Sequence, residues 1–106
     1  AKMIDAKRNA ERYGVSKYID FVEGDFNNWE GEPFDLLHVD ISNDGDVIEN
    51  VYEKTKNNKG TVIFEGGSVE RDNVEWVKLY GRKPIGDCGV RYKIISKKFP
   101  SISQII

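Results

Sequence analysis

Acidic residues and glycines cluster at three points of the 106-residue sequence where short apolar runs end. The three clusters are Gly24-Asp25-Phe26, His38-Val39-Asp40 and Glu65-Gly66-Gly67. A carboxylate at such a position can accept hydrogen bonds from an amino or hydroxyl group of a ligand, and a glycine lets the ligand approach the backbone. These clusters are therefore the candidate functional residues of the chain.

Each cluster also has a structural interpretation. Asp25 can bond local amides in a turn, and Asp40 can cap a helix. His38 lies in an apolar run, where it is either a buried structural histidine or a general base or metal ligand. Asp40, Asp44 and Asp46 together offer the oxygen ligands that Mg²⁺ or Ca²⁺ prefers. The run 40–46 nevertheless lacks the twelve-residue calcium-loop pattern. The residues alone leave these alternatives open.

Hydrophobic periodicity predicts the elements that position the clusters. One amphipathic helix is expected over residues 2–12, ended by Gly14, and a second follows residues 42–46, where an aspartate can cap it. Asp72 begins a capping-box pattern, which predicts a helix that continues to Gly81. Short β-branched runs predict four strands, over residues 18–22, 34–41, 61–64 and 90–97.

Helices that alternate with short buried strands predict an α/β fold, a Rossmann-like and mostly parallel sheet with flanking helices. The run 34–41 is expected to be buried on both faces, as in a parallel sheet, whereas residues 101–106 are too short to assign. In such a sheet the ligand crevice lies outside the carboxyl ends of the strands, where the three clusters fall. The chain begins within a helical pattern that has no cap before it, so we expect residues 1–106 to be one domain that is incomplete at its N-terminus.

Composition excludes several classes of function. The chain has 16 Lys and Arg against 18 Asp and Glu, a formal net charge of −2, so nucleic-acid binding is not expected as its main activity. No apolar run approaches the roughly 20 residues of a membrane span. Cys88 is the single cysteine, which excludes an internal disulfide and favours a reducing cytoplasm. We expect Cys88 to be inert, because no activating partner is evident.

Several runs, in this order, resemble the second part of a class I S-adenosylmethionine-dependent methyltransferase domain. They are the helix 2–12, Val-Glu-Gly-Asp-Phe at 22–26, Phe-Asp-Leu-Leu-His-Val-Asp at 34–40 and Gly-Thr-Val-Ile-Phe-Glu at 60–65. His-Val-Asp is also similar to the His-x-Asp of the branch that includes antibiotic-sugar O-methyltransferases. The run 41–46 departs from the pattern of that branch.

The resemblance implies a role for each cluster. Gly24 and Asp25 would meet the adenine of S-adenosylmethionine, with Asp25 accepting from its exocyclic amine and Phe26 beside the ring. Asp40 would face the methyl-transfer site, and Asp40 or His38 would be the base that deprotonates a small-molecule methyl acceptor. Some members of the branch hold Mg²⁺ at this strand end, which implies Asp40 as a metal ligand.

The resemblance also implies a Gly-rich first strand and loop, which the 106 residues do not contain. We therefore expect the chain by itself to bind S-adenosylmethionine poorly and to be inactive. The alternative is a non-catalytic α/β module that self-associates through its sheet edge, as a homodimer. A receiver-type signalling domain is disfavoured, because the acidic pair that it needs at its first strand is not seen.

Overall fold

The computed structural model describes residues 2–98 and 101–106. The chain forms two compact units, Ala1–Glu30 and Gly31–Ile106. Within the described part of the chain, no helix is long and apolar enough to cross a membrane.

The first unit is built on helix α1 (Lys2–Arg12), which confirms the first predicted helix. Gly14 ends it with a φ of 69°, the left-handed conformation that glycine adopts without strain. Two 3₁₀ turns follow, Ser16–Tyr18 and Phe26–Asn28.

The strand predicted at residues 18–22 is wrong. Tyr18 belongs to the first 3₁₀ turn, and residues 19–23 have no regular structure. Tyr18 and Val22 are 76% and 83% exposed, so most of the apolar surface of this run is not packed. A high β-propensity forms a strand only where neighbours supply that surface.

The second unit is a sheet with helices in its connections. Its elements, in chain order, are β1 (Leu36–Val39), α2 (Gly45–Thr55), β2 (Thr61–Glu65), α3 (Val69–Asp72), α4 (Glu75–Leu79), β3 (Tyr92–Ser96) and β4 (Ile102–Ile105). The strand order is β1-β2-β4-β3. The predicted α/β class is therefore confirmed. Strand β3 forms within the predicted run 90–97, and β2 covers the predicted run 61–64 and one further residue, Glu65.

The sheet is mixed, so the expectation of a mostly parallel sheet is wrong. Strands β1 and β2 pair in parallel, whereas β4 pairs antiparallel with both β2 and β3. The difference arises because residues 102–105, which the sequence left unassigned, return as a reversed strand between β2 and β3. Since β4 opposes both neighbours, β1, β2 and β3 still point in the same direction.

One face of this sheet carries the core. Val62, Phe64, Ile48 and Val51 are each at most 6% exposed, and α2 supplies the last two. The expectation that the run 34–41 is buried on both faces is wrong, because Leu36 is 60% exposed. Only four of those eight residues form the strand.

The predicted start of α2 is confirmed, whereas the start predicted at Asp72 is wrong. Asp44 caps α2, its carboxylate accepting the Asp46 N–H at 3.0 Å. The predicted capping box at Asp72 is wrong, because Asp72 is the last residue of α3, which Ser68 caps. The Asp72 carboxylate instead accepts two amides of the later 3₁₀ turn Ile85–Asp87.

Candidate functional site

An acidic residue stands at the carboxyl end of each of the two parallel strands. Val39 and Phe64 are partners in the β1–β2 register, and the residues that follow them are Asp40 and Glu65. Ligands of open α/β sheets bind outside this edge. The structure therefore places Asp40 where the sequence analysis expects the site.

His38 and Asp40 lie on the face of the sheet that does not carry the core. Side chains alternate along a strand, and Val39 between them is 5% exposed on the core face. His38 and Asp40 are both exposed, so the interpretation of His38 as a buried structural histidine is wrong. The two candidate bases share one face of the carboxyl edge.

Glu65 forms an ion pair with Arg71, a residue that was not among the candidates in the sequence. The Nη2 atom of Arg71 lies 3.0 Å from Oε2 of Glu65, and the two side chains are 18% and 20% exposed. Arg71 is placed by α3, whose first turn is fixed by the Ser68 cap. The sequence signal was available, since a Ser precedes a short charged run directly after a strand end.

Gly66 and Gly67 are needed for packing within the protein. Gly67 has a φ of 83°, and a Cβ there would lie 2.5 Å from Oγ of Ser103 and 2.7 Å from the Tyr92 ring. Oγ of Ser103 donates to the Gly66 carbonyl at 2.8 Å. A Cβ at Gly66, which has a φ of 149°, would meet the Ile85 side chain. Close packing against Ile85, Tyr92 and Ser103 therefore explains the two glycines without a ligand.

The first cluster, Gly24-Asp25-Phe26, belongs to the first unit. Oδ1 of Asp25 accepts the Asn27 N–H at 2.9 Å and caps the 3₁₀ turn Phe26–Asn28. The Phe26 ring stacks on Trp29, with centroids 5.7 Å apart and planes at 28°. Gly24 has open space where a Cβ would be, so no steric reason requires glycine there.

The acidic run after β1 has structural roles. Asp44 is the helix cap, and Oδ1 of Asp46 lies 3.1 Å from Nζ of Lys83. Among residues 2–98 and 101–106, no group of three or more His, Cys, Asp or Glu side chains is arranged to hold a metal ion. Mg²⁺ at Asp40 stays a prediction from the resemblance.

Charged groups also join α2 to the loop before β3. Oε1 of Glu49 accepts the Gly89 N–H at 2.9 Å and a hydrogen bond from the Lys83 ammonium at 3.0 Å. These two donors lower the pKa of the Glu49 carboxyl from its ordinary value. Burial raises the pKa of the Cys88 thiol above 9.0. A raised pKa favours the unreactive protonated thiol.

Two grooves lie at the other end of the parallel strands, where β1 and β2 begin. One of about 430 Å³ is lined by residues 33–35 and 57–60. The second, of about 250 Å³, shares Asn58 and Gly60 with it and extends to Tyr52 and Ile106. Neither groove includes His38, Asp40 or Glu65, so these concavities are separate from the predicted site.

Comparisons with protein-family models, with curated proteins and with solved structures found no match.

Proposed function

We propose that this chain is the C-terminal part of a class I S-adenosylmethionine-dependent methyltransferase domain, which methylates an oxygen of a small molecule. The observation that supports this best is the exposed Asp40 directly after β1, with the exposed His38 two residues before it and Glu65 at the end of the neighbouring strand β2. Strands β1, β2 and β3 point the same way, which is compatible with a Rossmann-like sheet.

The first cluster fits the adenine side of the cofactor in part. The Asp25 carboxylate is exposed and uses Oδ1 for its own turn. A carboxylate has about four acceptor sites, so Asp25 retains the capacity to accept from an exocyclic amine. The Phe26–Trp29 stack next to it supplies an aromatic surface.

His38 in β1 and Asp40 directly after it would act on the methyl acceptor. When bound, S-adenosylmethionine supplies an electrophilic methyl group. As the acceptor oxygen attacks, its proton would pass to the Asp40 carboxylate or to the His38 imidazole. Glu65 is less suited to that role because Arg71 already pairs with it. The remaining contribution of the protein is to orient the acceptor.

The test is formation of S-adenosylhomocysteine by the complete protein, with a panel of phenols and sugars as acceptors. We expect product from the complete protein and none from the 106-residue chain alone, because the chain has no Gly-rich loop for the amino-acid end of the cofactor. Tight calorimetric binding of S-adenosylmethionine by the 106-residue chain alone would contradict this expectation.

A second candidate function is a non-catalytic module that self-associates through its sheet edge. The observation that favours it is the position of β1 at the edge of the described sheet. Sedimentation equilibrium tests it, since a homodimer is expected under this alternative. A monomer at all concentrations would exclude it.

A further inference from the structure

Charge is distributed unevenly along the chain. Residues 1–87 contain 12 of the 16 Lys and Arg and all 18 Asp and Glu, whereas residues 88–106 contain the other four cations and no acidic residue. The first part therefore has a formal net charge of −6 and the second a net charge of +4. The four cations fall within residues 91–98, which we call the cationic strip, and they are Arg91, Lys93, Lys97 and Lys98.

The cations of the strip are not neutralised by ion pairs. All four side chains are exposed. Within residues 2–98 and 101–106, the ion pairs involve cations outside the strip, and no carboxylate pairs with a cation of the strip. The positive charge of residues 88–106 is therefore presented to solvent, where a partner of opposite charge would meet it.

The strip is long and narrow. Strand β3 (Tyr92–Ser96) forms its centre and is the outer strand of the described sheet, next to β4. Five residues of a strand extend about 16 Å, and one strand is about 5 Å wide. Under the proposed function, upstream strands would extend the sheet beyond β1, on the opposite side, so the strip does not depend on them.

Apolar side chains separate the cations. Ile94 and Ile95 are 42% and 50% exposed. Tyr92 is the single aromatic residue of the strip, and its ring packs edge-on against Phe64 with centroids 5.6 Å apart. The strip therefore offers cations and aliphatic surface to a partner, whereas its aromatic ring is packed on the core.

These properties distinguish between anionic partners. Single-stranded nucleic acid binds to surfaces that carry aromatic rings on which its bases stack, and the one ring of the strip is already packed. An anionic membrane is wider than one strand, so it would also face the acidic remainder of the chain and be repelled. A short acidic peptide segment contacts the strip alone, and its aliphatic side chains can cover the two isoleucines.

We propose that the cationic strip binds a short, extended acidic segment of a partner protein. Carboxylates of that segment lie opposite the four cations, and aliphatic side chains at its centre contact Ile94 and Ile95. The interaction goes beyond the proposed methyl transfer, since the strip includes neither His38 nor Asp40 and needs no cofactor.

The first experiment compares two peptides. The probe is Glu-Ser-Glu-Ile-Ile-Ser-Glu-Glu, fluorescently labelled and mixed with the complete protein in about 0.1 M salt, which screens charges more than about 10 Å apart. The control peptide has lysine in place of every glutamate. Fluorescence anisotropy should show that the acidic peptide binds about tenfold or more tightly than the lysine peptide. No binding of the acidic peptide, or equal binding of the two, would overturn the proposal.

Variants that neutralise one charge locate the contact. Arg91→Gln and Lys93→Gln should each weaken binding of the acidic peptide roughly two- to fivefold, as expected for exposed ion pairs. Lys59→Gln and Lys78→Gln remove the same charge at exposed positions outside the strip and should leave the affinity unchanged. Equal losses in the two sets would show attraction to the whole chain and would overturn the strip as the site.

The aliphatic contact is tested by a pair of changes. Ile95→Thr, at a half-exposed position, should weaken binding of the acidic peptide. It should not weaken binding of a second acidic peptide in which serine replaces both isoleucines. The same loss for both peptides would overturn the contact between the isoleucines.

Other occupants of the strip give different results. Binding to phosphatidylserine vesicles or to a short single-stranded RNA that is tighter than peptide binding, and is lost in Arg91→Gln and Lys93→Gln, would overturn the peptide partner. A dimer in sedimentation equilibrium that the same variants dissociate would show that an acidic segment of a second copy occupies the strip, and would overturn a separate partner. None of these measurements uses S-adenosylmethionine, so their outcomes are independent of the test of methyl transfer.

Discussion

The Arg71 guanidinium lies 3.0 Å from the Glu65 carboxylate, with both side chains mostly buried. Glu65 ends β2, and Arg71 belongs to α3. This ion pair joins the carboxyl edge of the sheet to the next helix. Asp40, which follows the neighbouring strand β1, is exposed.

Glu65→Gln should therefore lower the free energy of unfolding by about 1–3 kcal/mol, because it removes the carboxylate charge from a largely buried ion pair. Urea denaturation with an unchanged m-value measures the loss. The control is Glu53→Gln, which breaks an exposed pair with Lys56 and should have the smaller effect. Equal losses for the two variants would mean that the Glu65 pair contributes no more than a surface pair.

Asp72 should matter for stability although it caps no helix. Its carboxylate accepts the Ile85 N–H at 2.7 Å and the Gly86 N–H at 2.9 Å, and Ile85 is fully buried. We expect Asp72→Ala to cost about 1–3 kcal/mol. Asp87→Ala, at an exposed carboxylate of the same turn, is the control, and an equal loss there would contradict the role of Asp72.

The pH dependence of stability should reflect Glu49. The Gly89 amide and Lys83 lower the pKa of Glu49 in the folded state below 4.5. A lowered pKa adds stability above the unfolded value, and that stability is lost as pH falls through the folded value. The urea midpoint should therefore decrease below about pH 4.5. In Glu49→Gln this decrease should be smaller, and an unchanged acid profile would contradict the assignment.

Under the proposed function, Asp40→Asn in the complete protein should cut turnover by about 10²- to 10⁴-fold if Asp40 is the base. His38→Gln distinguishes the two candidates, because the residue that does not take the proton should affect KM more than kcat. Asp35→Asn, at the other end of β1, is the matched control for turnover. Unchanged turnover in Asp40→Asn would remove Asp40 from the mechanism.

The sequence predicted local elements better than the order in which they assemble. The periodic helices α1 and α2 formed as expected, because each carries its own apolar stripe and its own end signal, Gly14 or Asp44. The run 18–22 is also rich in aromatic and β-branched residues, but it does not pair with a strand and most of its apolar surface is exposed. The reversed strand β4 is specified by pairing with residues about 40 positions earlier in the chain, which no short pattern contains.

The place of Asp40 directly after a strand could be predicted from the sequence, but the contacts around that strand end could not. Asp40 lies at the carboxyl edge because it follows a strand, and that much a local pattern can indicate. The Glu65–Arg71 pair and the packing of Gly67 against Ser103 depend on tertiary neighbours. Of the two alternatives for His38, burial is wrong, and the sequence could not decide between them because it does not reveal that His38 is exposed.

The proposed function depends most directly on whether Asp25 contacts the cofactor. The measurement is calorimetric titration of the complete protein with S-adenosylmethionine, for the wild type, for Asp25→Ala and for the exposed control Asp20→Ala. We expect the wild type and Asp20→Ala to bind equally, and Asp25→Ala to bind about 10-fold or more weakly, as for loss of a hydrogen bond to a charged group. Absence of binding by the complete protein, or equal affinity of Asp25→Ala, would contradict the proposal.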